Sequence, residues 1–558
     1  MKKGLLLILG SVLVSTSSFS QNNVSDVSKK ANVAPTLTFN NTISKLVDLA
    51  SGKISCVLDN ATDPFIISGL DINVNDEDLN TVTFSMTSSK ASVVANANFS
   101  VTGTGTARKF RISPNGVGYA TITLTATDAQ GLYKSLSLNL AVSAALVTAA
   151  AKDIYHTGVA DGSTAIFVDA NYMFVADDET NVIKLFDRNN SGLSLYQFDV
   201  TPFLGLSGTE VDMEASFRSP TNPNRIYWMG SLSNSKSGNA RPDRNRIFAT
   251  DVVGTGANST LTFVGYYDKL RSKLITWGDA NGYNFTAKAA TGIEPKRIDG
   301  FNIEGLEMGP DGTTMYIGFR APYVGTGTNK ALICPLLNFE SWFGNGSPAT
   351  NPSFGTPIEL NLNNHGIRSL GKNAANQFLI VAGSYASTGT FELYSWNGQR
   401  TTAPIALDVD LTNLKPEGIV AIPSDVSGTF TIDLISDLGS NIIYEDGVEN
   451  KAVAEPNHRK FLTSTLNVNN TLGIELPETK VTSIDIFPNP FTAILNINLN
   501  ENAIAPNFVY LYNTMGQLIK TLAVTSNDSN VFDLSDLNAG MYFVKYQEMK
   551  KNIKVIKQ

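Results

Sequence analysis

Between about residues 151 and 455 the sequence repeats one pattern five times, and this repeat limits the possible folds more than any other feature. Each copy has a short strand, a turn of Asp, Asn or Gly, a second apolar strand that ends in a polar or charged residue, and a third strand. The copies contain STAIFVDANYMFVADDE, MEASFRSPTNPNRIYWMGS, IEGLEMGPDGTTMYIGFRAP, IRSLGKNAANQFLIVAGS and PEGIVAIPSDVSGTFTIDLISD. A sheet of this kind buries both faces only against neighbouring sheets, as the blades of a β-propeller do. The segment 151–455 therefore predicts a β-propeller.

The spacing of the repeat bears on the number of blades. Glu304, Arg368 and Glu417 follow one another at similar intervals, but the interval from Glu214 to Glu304 is longer. That longer interval contains LTFVGYYDKLRSKLITW and has room for a further blade or for an insertion over one face. We therefore expect about six blades, with five and seven as alternatives.

One position of the repeat carries a polar or charged residue in every copy, on the strand expected to be innermost. Innermost strands of a propeller line its axial channel, so these side chains should converge. They are Thr164, Glu214, Glu304, Arg368 and Glu417. A second set lies at the end of the next strand of each copy: Asp177, Asp178, Glu179, Ser231, Arg320, Ser384 and Asp437. His365, close to Arg368, is a candidate general base or supporting group at this channel.

Carboxylates that converge in one channel repel each other unless arginines or a cation neutralise them, which leaves two interpretations open. In the first, Arg320 and Arg368 pair with the glutamates and fix the register of the sheets. In the second, Glu214, Glu304 and Glu417 hold a divalent ion, which would be calcium because all the ligands are oxygens, and the arginines bind an anionic ligand. A water on the ion could then hydrolyse a phosphoester or a lactone. The sequence leaves open whether the protein is an enzyme or a binding protein.

The polar segment 231–246 contains glycine and is typical of a long loop on one face of a propeller. Its arginines, Arg241, Arg244 and Arg246, are candidates for anion binding at the channel mouth. A solvated loop without a ligand is the alternative interpretation.

Residues 34–147 alternate apolar and polar residues in short runs separated by Gly, Asn and Pro turns, which is typical of a two-sheet sandwich. The run ATITLTATDAQG resembles the closing strand of immunoglobulin-like and cadherin-like modules of bacterial surface proteins. The latter resemblance implies calcium at the end of the module, and the candidate ligands are Asp71, Asp76, Asp78 and Asp128. A solvated acidic loop is the alternative.

Several motifs occur in order along the repeat region: EVDMEA at residues 210–215, NIEGL at 302–306, GFRAP at 318–322 and GIRSL at 366–370. Together they resemble a bacterial β-propeller family whose function is uncharacterised. The resemblance implies an architecture and no activity.

The two ends of the chain carry export signals. Lys2 and Lys3 precede the apolar run GLLLILGSVLV and small residues up to Ser20, which is typical of a secretory signal peptide over residues 1–20. The apolar run is too short to stay as a membrane anchor, so we expect no transmembrane anchor in the mature chain.

Residues 481–558 contain VTSIDIFPNPF, VYLYNTMGQLIKT and FDLSDLNAGMYFVKY before a basic tail. This order resembles the C-terminal sorting domain of the type IX (Por) secretion system of Bacteroidetes. The resemblance implies that the type IX machinery exports the protein through the periplasm and that it is secreted or attached to the outer surface after removal of the sorting domain. Residues 456–480 show no core pattern, so we expect a linker there.

The charge balance and the cysteine content exclude nucleic-acid-binding proteins and disulfide-rich folds. Lysine and arginine number 42 against 50 acids, without a basic stripe outside the tail, so a nucleic-acid partner has no electrostatic support. Cys56 and Cys334 fall in different predicted domains, and we expect both to be buried free thiols. The sequence thus predicts an all-β chain that consists of a sandwich, a propeller and a small C-terminal β-sandwich.

Overall fold

The computed structural model describes residues 31–39, 47–48, 52–60, 63, 69–325, 329–339, 351–470, 483–500, 507–514, 516–524, 530–546 and 553–558. The chain divides into two compact units, residues 1–470 and 471–558. Strands dominate both units, so the all-β prediction is confirmed. The signal peptide predicted at 1–20 and residues 471–482 lie outside the described residues.

Two sheets that share one hydrophobic core form the N-terminal part of the first unit. The sheet orders are β1-β4-β7-β6 and β2-β3-β9-β8-β5, where β3 and β9 are parallel and the other pairs antiparallel. Leu37, Phe110, Ile122 and Leu140 belong to the shared core, which also buries Cys56. A 3-10 helix covers Leu79–Thr81. The nine strands are β1 (Thr36–Phe39), β2 (Val47–Asp48), β3 (Lys53–Val57), β4 (Leu70–Asn75), β5 (Thr83–Ser88), β6 (Phe99–Thr102), β7 (Ala107–Ile112), β8 (Gly118–Thr127) and β9 (Tyr133–Ser143).

The rest of the first unit contains twenty strands in the described residues. They are β10 (Lys152–Thr157), β11 (Gly162–Phe167), β12 (Tyr172–Asp177), β13 (Val182–Asp187), β14 (Tyr196–Asp199), β15 (Met213–Arg218), β16 (Arg225–Gly230), β17 (Ile247–Val253), β18 (Thr260–Tyr267), β19 (Asn302–Met308), β20 (Met315–Ala321), β21 (Ala331–Leu336), β22 (Ile358–Leu360), β23 (Gly366–Lys372), β24 (Phe378–Gly383), β25 (Phe391–Trp396), β26 (Ile405–Ala406), β27 (Pro416–Ala421), β28 (Gly428–Ser436) and β29 (Lys460–Asn470). Helices α1 (Leu270–Ala280) and α2 (Phe285–Lys288) lie between β18 and β19. Short 3-10 helices cover Thr201–Phe203, Pro242–Arg244, Gly256–Asn258, Asn450–Ala452 and Pro456–His458.

These strands form five four-stranded antiparallel sheets. Four sheets take consecutive strands, β11 to β14, β15 to β18, β19 to β22 and β23 to β26, and the fifth has the order β10-β29-β28-β27. The first strand of each sheet contacts the first strand of the next sheet. The order is β11, β15, β19, β23 and β27, and β27 in turn contacts β11. The five first strands therefore form a closed ring. The fifth sheet joins a strand from the beginning of this region to three strands from its end.

Hydrogen bonds from turn residues explain why the first two strands of a sheet form a hairpin. The carboxylate of Asp169 accepts from Asn171 N at 2.8 Å, and that of Asp311 accepts from Thr313 N at 2.9 Å. Asn373 closes the corresponding turn of the fourth sheet by accepting from Ala375 N at 3.0 Å. Such side-chain turns compete well with regular structure, so the Asp or Asn of each repeat ends one strand and begins the next.

The described residues of this region form five sheets, which is one of the two alternatives to the expected six. The long interval after the second repeat contains α1 and α2 in place of a further sheet. In α1 the buried residues Leu270, Leu274 and Trp277 follow a helical spacing, which the strand-rich surroundings hid from the sequence interpretation.

The linker prediction is also wrong for residues 460–470, which form β29. This strand pairs with β10 on one side and β28 on the other, and Phe461, Leu462, Leu466 and Val468 are buried. The first five residues of β29 are all buried and the strand has a partner on both edges, so this part shows no amphipathic pattern and its sequence resembles a linker.

A buried polar cluster joins the two parts of the first unit. Lys460 on β29 is 1% exposed, and its Nζ donates to the hydroxyl of Tyr444 at 2.6 Å and to the hydroxyl of Ser55 on β3. Burial lowers the pKa of Lys460 to about 8. The nine-stranded part therefore packs against the ring through satisfied hydrogen bonds as well as apolar contacts.

The second unit has two sheets of its own, with orders β30-β31-β34 and β33-β32-β35-β36. Phe491, Leu495, Leu511 and Val544 belong to one core between them. The strands are β30 (Ser483–Phe487), β31 (Ile494–Asn500), β32 (Asn507–Asn513), β33 (Leu518–Val524), β34 (Asn530–Asp533), β35 (Gly540–Tyr546) and β36 (Ile553–Lys557).

Candidate functional site

A β-bulge interrupts each of the five first strands at the same place. The register skips one residue in each strand, and a bulge of this kind re-aims the side chain of the skipped residue. The skipped residues are Ser163, Glu214, Glu304, Arg368 and Glu417. Four of these are the residues that the repeat predicted. In the first sheet the position belongs to Ser163 and not to Thr164, whose hydroxyl lies 2.7 Å from that of Ser216.

The five bulges surround a small cavity at the N-terminal ends of the first strands, which we call the acidic cavity. Its volume is about 30 Å³, enough for one or two waters or an ion. Six carboxylates and three bases line it together with two small residues: Asp161, Gly162, Ser163, Asp178, Glu214, Lys296, Glu304, Arg320, Arg368, Glu417 and Asp437. Negative charge therefore exceeds positive charge at this point of the ring.

Arginines neutralise one side of the acidic cavity. Arg320 Nη1 lies 2.7 Å from Glu304 Oε1, and both side chains are almost fully buried. Arg368 Nε lies 2.5 Å from Glu304 Oε2, and Arg368 Nη2 pairs with Glu417 Oε1. Although burial raises the pKa of Glu304, the two arginines hold it below its ordinary value. Burial keeps the pKa of Glu417 raised, at about 7.

Backbone carbonyls take up further hydrogens of the two guanidinium groups. Arg320 donates from Nε to Tyr385 O at 3.0 Å and from Nη2 to Ala386 O at 2.6 Å. Arg368 donates from Nη1 to Ser384 O at 3.3 Å, and its guanidinium lies 5.4 Å from the ring centre of Phe391. Both arginines are thus fixed between sheets, as the structural interpretation of the sequence requires.

The other side of the acidic cavity has few positive partners. Glu214 is 8% exposed, and its carboxylate makes no hydrogen bond or ion pair with any of the described residues. Burial and the nearby Glu304 and Asp212 raise the pKa of Glu214 well above its ordinary value. Asp161 is 7% exposed and equally without a side-chain partner in the described part of the chain, and burial together with Asp437 raises its pKa to about 8.

Two groups of acids on this side are close enough to share a cation. Asp178, Asp212 and Glu214 each place an oxygen within 4.8 Å of the others, and so do Asp161, Asp178 and Glu179. Ligands on opposite sides of a calcium ion at about 2.4 Å are about 4.8 Å apart, so the spacing fits one ion in each group. Asp178 belongs to both groups, and burial and Glu214 raise its pKa.

The sequence placed the candidate metal ligands at Glu214, Glu304 and Glu417, and the structure brings only the first of these into a cation-sized group. The carboxylates of Glu304 and Glu417 form ion pairs with Arg320 and Arg368 instead. Asp212 was missed, although it lies two residues before the bulge in EVDMEA, as Asp161 does in the first sheet. Arg244 holds Asp212 at 2.8 Å, and Ser231 donates a hydrogen bond to it.

The other residues at the ends of the second strands have separate roles. Asp437 lines the acidic cavity and accepts from Gly439 N at 2.5 Å. Asp177 accepts from Glu179 N at 2.9 Å, and Glu179 pairs with Lys451 at 3.0 Å. His365 lies 3.7 Å from Glu392 and does not line the cavity, so a role as general base is not supported by its position.

Two of the three arginines of segment 231–246 bind other groups of the protein itself. Arg244 pairs with Glu210 at 2.7 Å as well as with Asp212. Arg246 is 7% exposed and donates to Leu204 O at 2.9 Å. Arg241 does not line the acidic cavity. Anion binding by this loop stays a prediction that the geometry of Arg244 and Arg246 does not favour, because carboxylates and backbone carbonyls already accept from them.

The four candidate calcium ligands of the N-terminal sheets do not come together in the described residues. Asp71 pairs with Lys109 at 2.7 Å, and Asp128 accepts from Leu132 N at 2.8 Å. Asp76 accepts from Asp78 N at 2.9 Å. Neither of the cation-sized groups among the described residues contains any of them, so calcium at this place stays a prediction, and these acids close turns and ion pairs.

Comparison with known proteins identifies the C-terminal region. Residues 485–558 match the family model of the secretion system C-terminal sorting domain, which confirms the resemblance seen in the sequence. This domain indicates secretion to the cell surface or the extracellular space through the type IX machinery. A search of the curated proteins finds no match. In the described part of the chain, no helix combines the length and the apolar character needed to cross a membrane.

Solved structures give only distant likenesses. The extracellular domain of BT4673 from B. thetaiotaomicron is 10% identical with a TM-score of 0.29, over 79% of this chain and 49% of that one. The extracellular domain of BT3049 from the same organism is 9% identical with a TM-score of 0.25, over 78% and 60%. A rhamnogalacturonan lyase of Bacillus licheniformis is 12% identical with a TM-score of 0.19, over 67% and 64%. The chain thus spans about half to two thirds of these structures, and at such scores they carry no argument about function.

Proposed function

We propose that this secreted or surface-attached protein binds a divalent cation at the edge of the acidic cavity, where Asp212 meets the lining residues Asp178 and Glu214, and that its five-sheet ring is a five-bladed β-propeller. Calcium is the cation that the ligand chemistry favours, since Asp178, Asp212 and Glu214 offer only carboxylate oxygens. The closed ring of first strands supports the propeller assignment, because blades of a propeller meet along their innermost strands.

The observation that carries the proposal is the unpaired carboxylate of Glu214. It occupies the same bulge position as Glu304 and Glu417, which both meet an arginine, and it is 8% exposed without such a partner in the described residues. A buried carboxylate without a positive partner must either take up a proton or meet a cation. Two further acids within 4.8 Å make the cation the better explanation.

The same geometry weakens the proposal of an anionic ligand in this cavity. Arg320 and Arg368, which would receive the anion, are already bound to Glu304 and Glu417 and to backbone carbonyls. An anion entering the cavity would also meet the three excess carboxylates. Hydrolysis of a phosphoester or a lactone by a calcium-bound water stays a prediction that shares this cation site.

Calcium-dependent thermal unfolding tests the proposal. We expect the mature protein, freed of metal with EDTA, to melt at a higher temperature once calcium is added, since a ligand at 100 times its Kd stabilises by about 2.7 kcal/mol. Glu214→Gln, which preserves shape and removes the charge, should lose this shift. Glu445→Gln, at an exposed glutamate outside the cavity, is the matched control and should keep it.

Two results would contradict the cation site. One is an unchanged melting temperature of the native protein at millimolar calcium, measured by calorimetry with isothermal titration alongside. The other is an equal calcium shift in the native protein and in Glu214→Gln. An equal response to magnesium would keep the site but remove its calcium preference.

A further inference from the structure

A second cavity lies at the other end of the ring. The acidic cavity meets the beginnings of the five first strands, whereas the second cavity meets their ends, including Ile166, Phe217, Met308, Leu370 and Val420. Its volume is about 250 Å³, which accommodates a small organic molecule. Most of its wall is apolar, so burial of a hydrocarbon body there would favour binding.

Arg218, at the end of β15, is the main polar group of the second cavity. Its Nη2 donates to Phe167 O at 2.8 Å and its Nη1 donates to Pro223 O, so backbone carbonyls fix the guanidinium in place. The centre of the guanidinium lies 5.7 Å from the ring centre of Phe167. The Nε atom is buried and has no hydrogen-bond partner among the described residues.

Arg218 differs from the arginines of the acidic cavity because no carboxylate pairs with it in the described part of the chain. Burial lowers its pKa, with no acid nearby to oppose the effect. A partly buried guanidinium without a counter-charge is costly, and Nη1 and Nη2 each keep one further hydrogen after donating to a backbone carbonyl. A carboxylate accepts such hydrogens in charge-assisted hydrogen bonds.

When Glu307 is ionised, which is its main form above its raised pKa of about 7, the remaining charges of the second cavity favour a ligand with a single negative charge. Besides Arg218, the wall contains one base, Lys372, and one acid, Glu307. Lys372 Nζ donates to Asn376 at 3.0 Å, and Glu307 accepts from the backbone amides of Met308 at 2.7 Å and of Lys372 at 3.2 Å. One positive charge is left over when Glu307 is ionised.

We propose that the second cavity binds a small monoanionic carboxylate with an apolar body, held by Arg218 at its charged end and by the aliphatic and aromatic wall along its length. The site is independent of the cation site, because the two cavities share no lining residue. Phenylacetate is a suitable probe, since it combines one carboxylate with an apolar ring. Phenylacetamide has nearly the same shape without the charge, and acetate has the charge without the ring.

Isothermal titration of the whole mature protein with these three probes tests the proposal. We expect saturable one-to-one binding of phenylacetate and at least tenfold weaker binding of phenylacetamide and of acetate. Arg218→Gln should weaken phenylacetate binding at least tenfold. Arg225→Gln, at an arginine on the neighbouring strand that pairs with Asp251 outside the cavity, should leave it unchanged.

A second variant keeps the test decisive if Arg218→Gln does not fold. Ala421→Phe places a ring in the cavity wall from a half-buried position and leaves Arg218 in place, so it should also abolish binding. The proposal is overturned by absence of phenylacetate binding to the native protein, by equal binding of phenylacetate and phenylacetamide, or by undiminished binding to a folded Ala421→Phe variant.

Discussion

Arg320 connects three parts of the ring through one side chain. It pairs with Glu304 and donates to two carbonyls of the segment that follows β24, and it is 2% exposed. We expect Arg320→Ala to destabilise the first unit by about 3 to 5 kcal/mol, because it breaks one of the two buried ion pairs of Glu304 and removes the donors of two carbonyls. Urea unfolding would measure this. Arg297→Ala, at an arginine whose pair with Asp299 is about half exposed, should cost under about 1 kcal/mol.

A tolerated Arg320→Ala would mean that Arg320 faces open solvent, as expected of a channel that receives an anion. The sequence leaves both outcomes open for Arg320, which GFRAP places at a strand end. The structure instead surrounds this strand end with the segment after β24, a long-range contact that strand position alone cannot reveal.

Glu307 gives the stability of the first unit a dependence on pH. Burial raises its pKa from an ordinary carboxyl value of 4.5 to about 7, so its ionised form is disfavoured in the folded state. The stability due to the protonated carboxyl is complete below about pH 4.5 and is lost as the pH rises to about 7. The native protein should therefore lose up to about 3 kcal/mol relative to Glu307→Gln between pH 4.5 and 8. Urea unfolding of both proteins across this range measures the difference, and two parallel pH profiles would contradict the prediction.

Part of the candidate site could be predicted residue by residue. Glu214, Glu304, Arg368 and Glu417 were found because the repeat aligns them. The repeat pointed to Thr164, one residue after Ser163. A bulge changes by one residue which side chains face the cavity, and no sequence pattern indicates the bulge. Arginines pair with Glu304 and Glu417 but not with Glu214. This pairing depends on distances between sheets, and a repeat alignment contains no such distances.

At the scale of elements, the glycines of the repeat motifs explain how closely the third and fourth sheets approach. A Cβ on Gly318 would lie 2.9 Å from Ile367 Cγ2 and 3.2 Å from Gly305 Cα. Gly305 belongs to NIEGL, Gly318 to GFRAP and Ile367 to GIRSL, so three motifs meet at one packing contact. Their presence in the sequence therefore follows from packing between sheets and does not require catalysis.

This contact predicts a coupling between two substitutions. Gly318→Ala alone should cost about 1 to 3 kcal/mol, because the added methyl group overpacks a buried site. With Ile367→Ala in the same chain, the methyl group gains the space of the missing side chain, and the double variant should be more stable than additivity predicts by about 0.5 to 3 kcal/mol. A double-mutant cycle of urea unfolding measures this, and strict additivity would show that the two residues do not compete for space.

The elements themselves were predictable to different degrees. The strands of the first, third and fourth sheets follow from their apolar runs and their turns at Asp169, Asp311 and Asn373. Helix α1 and strand β29 were not, since the first lies within a long strand-rich interval and the second begins with five buried residues that do not alternate.

At the scale of the molecule, the position of β29 sets the C-terminal limit of the first unit. A chain cut after Glu455, at the start of the predicted linker, would lose the strand between β10 and β28 and should not fold. A chain cut after Asn470 retains all five sheets and should melt cooperatively, as circular dichroism would show. It also lacks the sorting domain, so we expect it in the periplasm and not in the medium. A stable fold of the shorter chain, or normal export of the longer one, would contradict these expectations.

The pairing of β29 also determines how the first unit would respond to mechanical force. A surface anchor that joins the chain beyond residue 470 pulls on β29 before any other element. Because β29 is hydrogen-bonded to β10 on one side and β28 on the other, a pull along its axis must shear both rows of bonds together. An edge strand at this place would peel away bond by bond under a smaller load. In a protein tethered beyond residue 470, the pulling force would thus act first on a strand that is hydrogen-bonded along both edges.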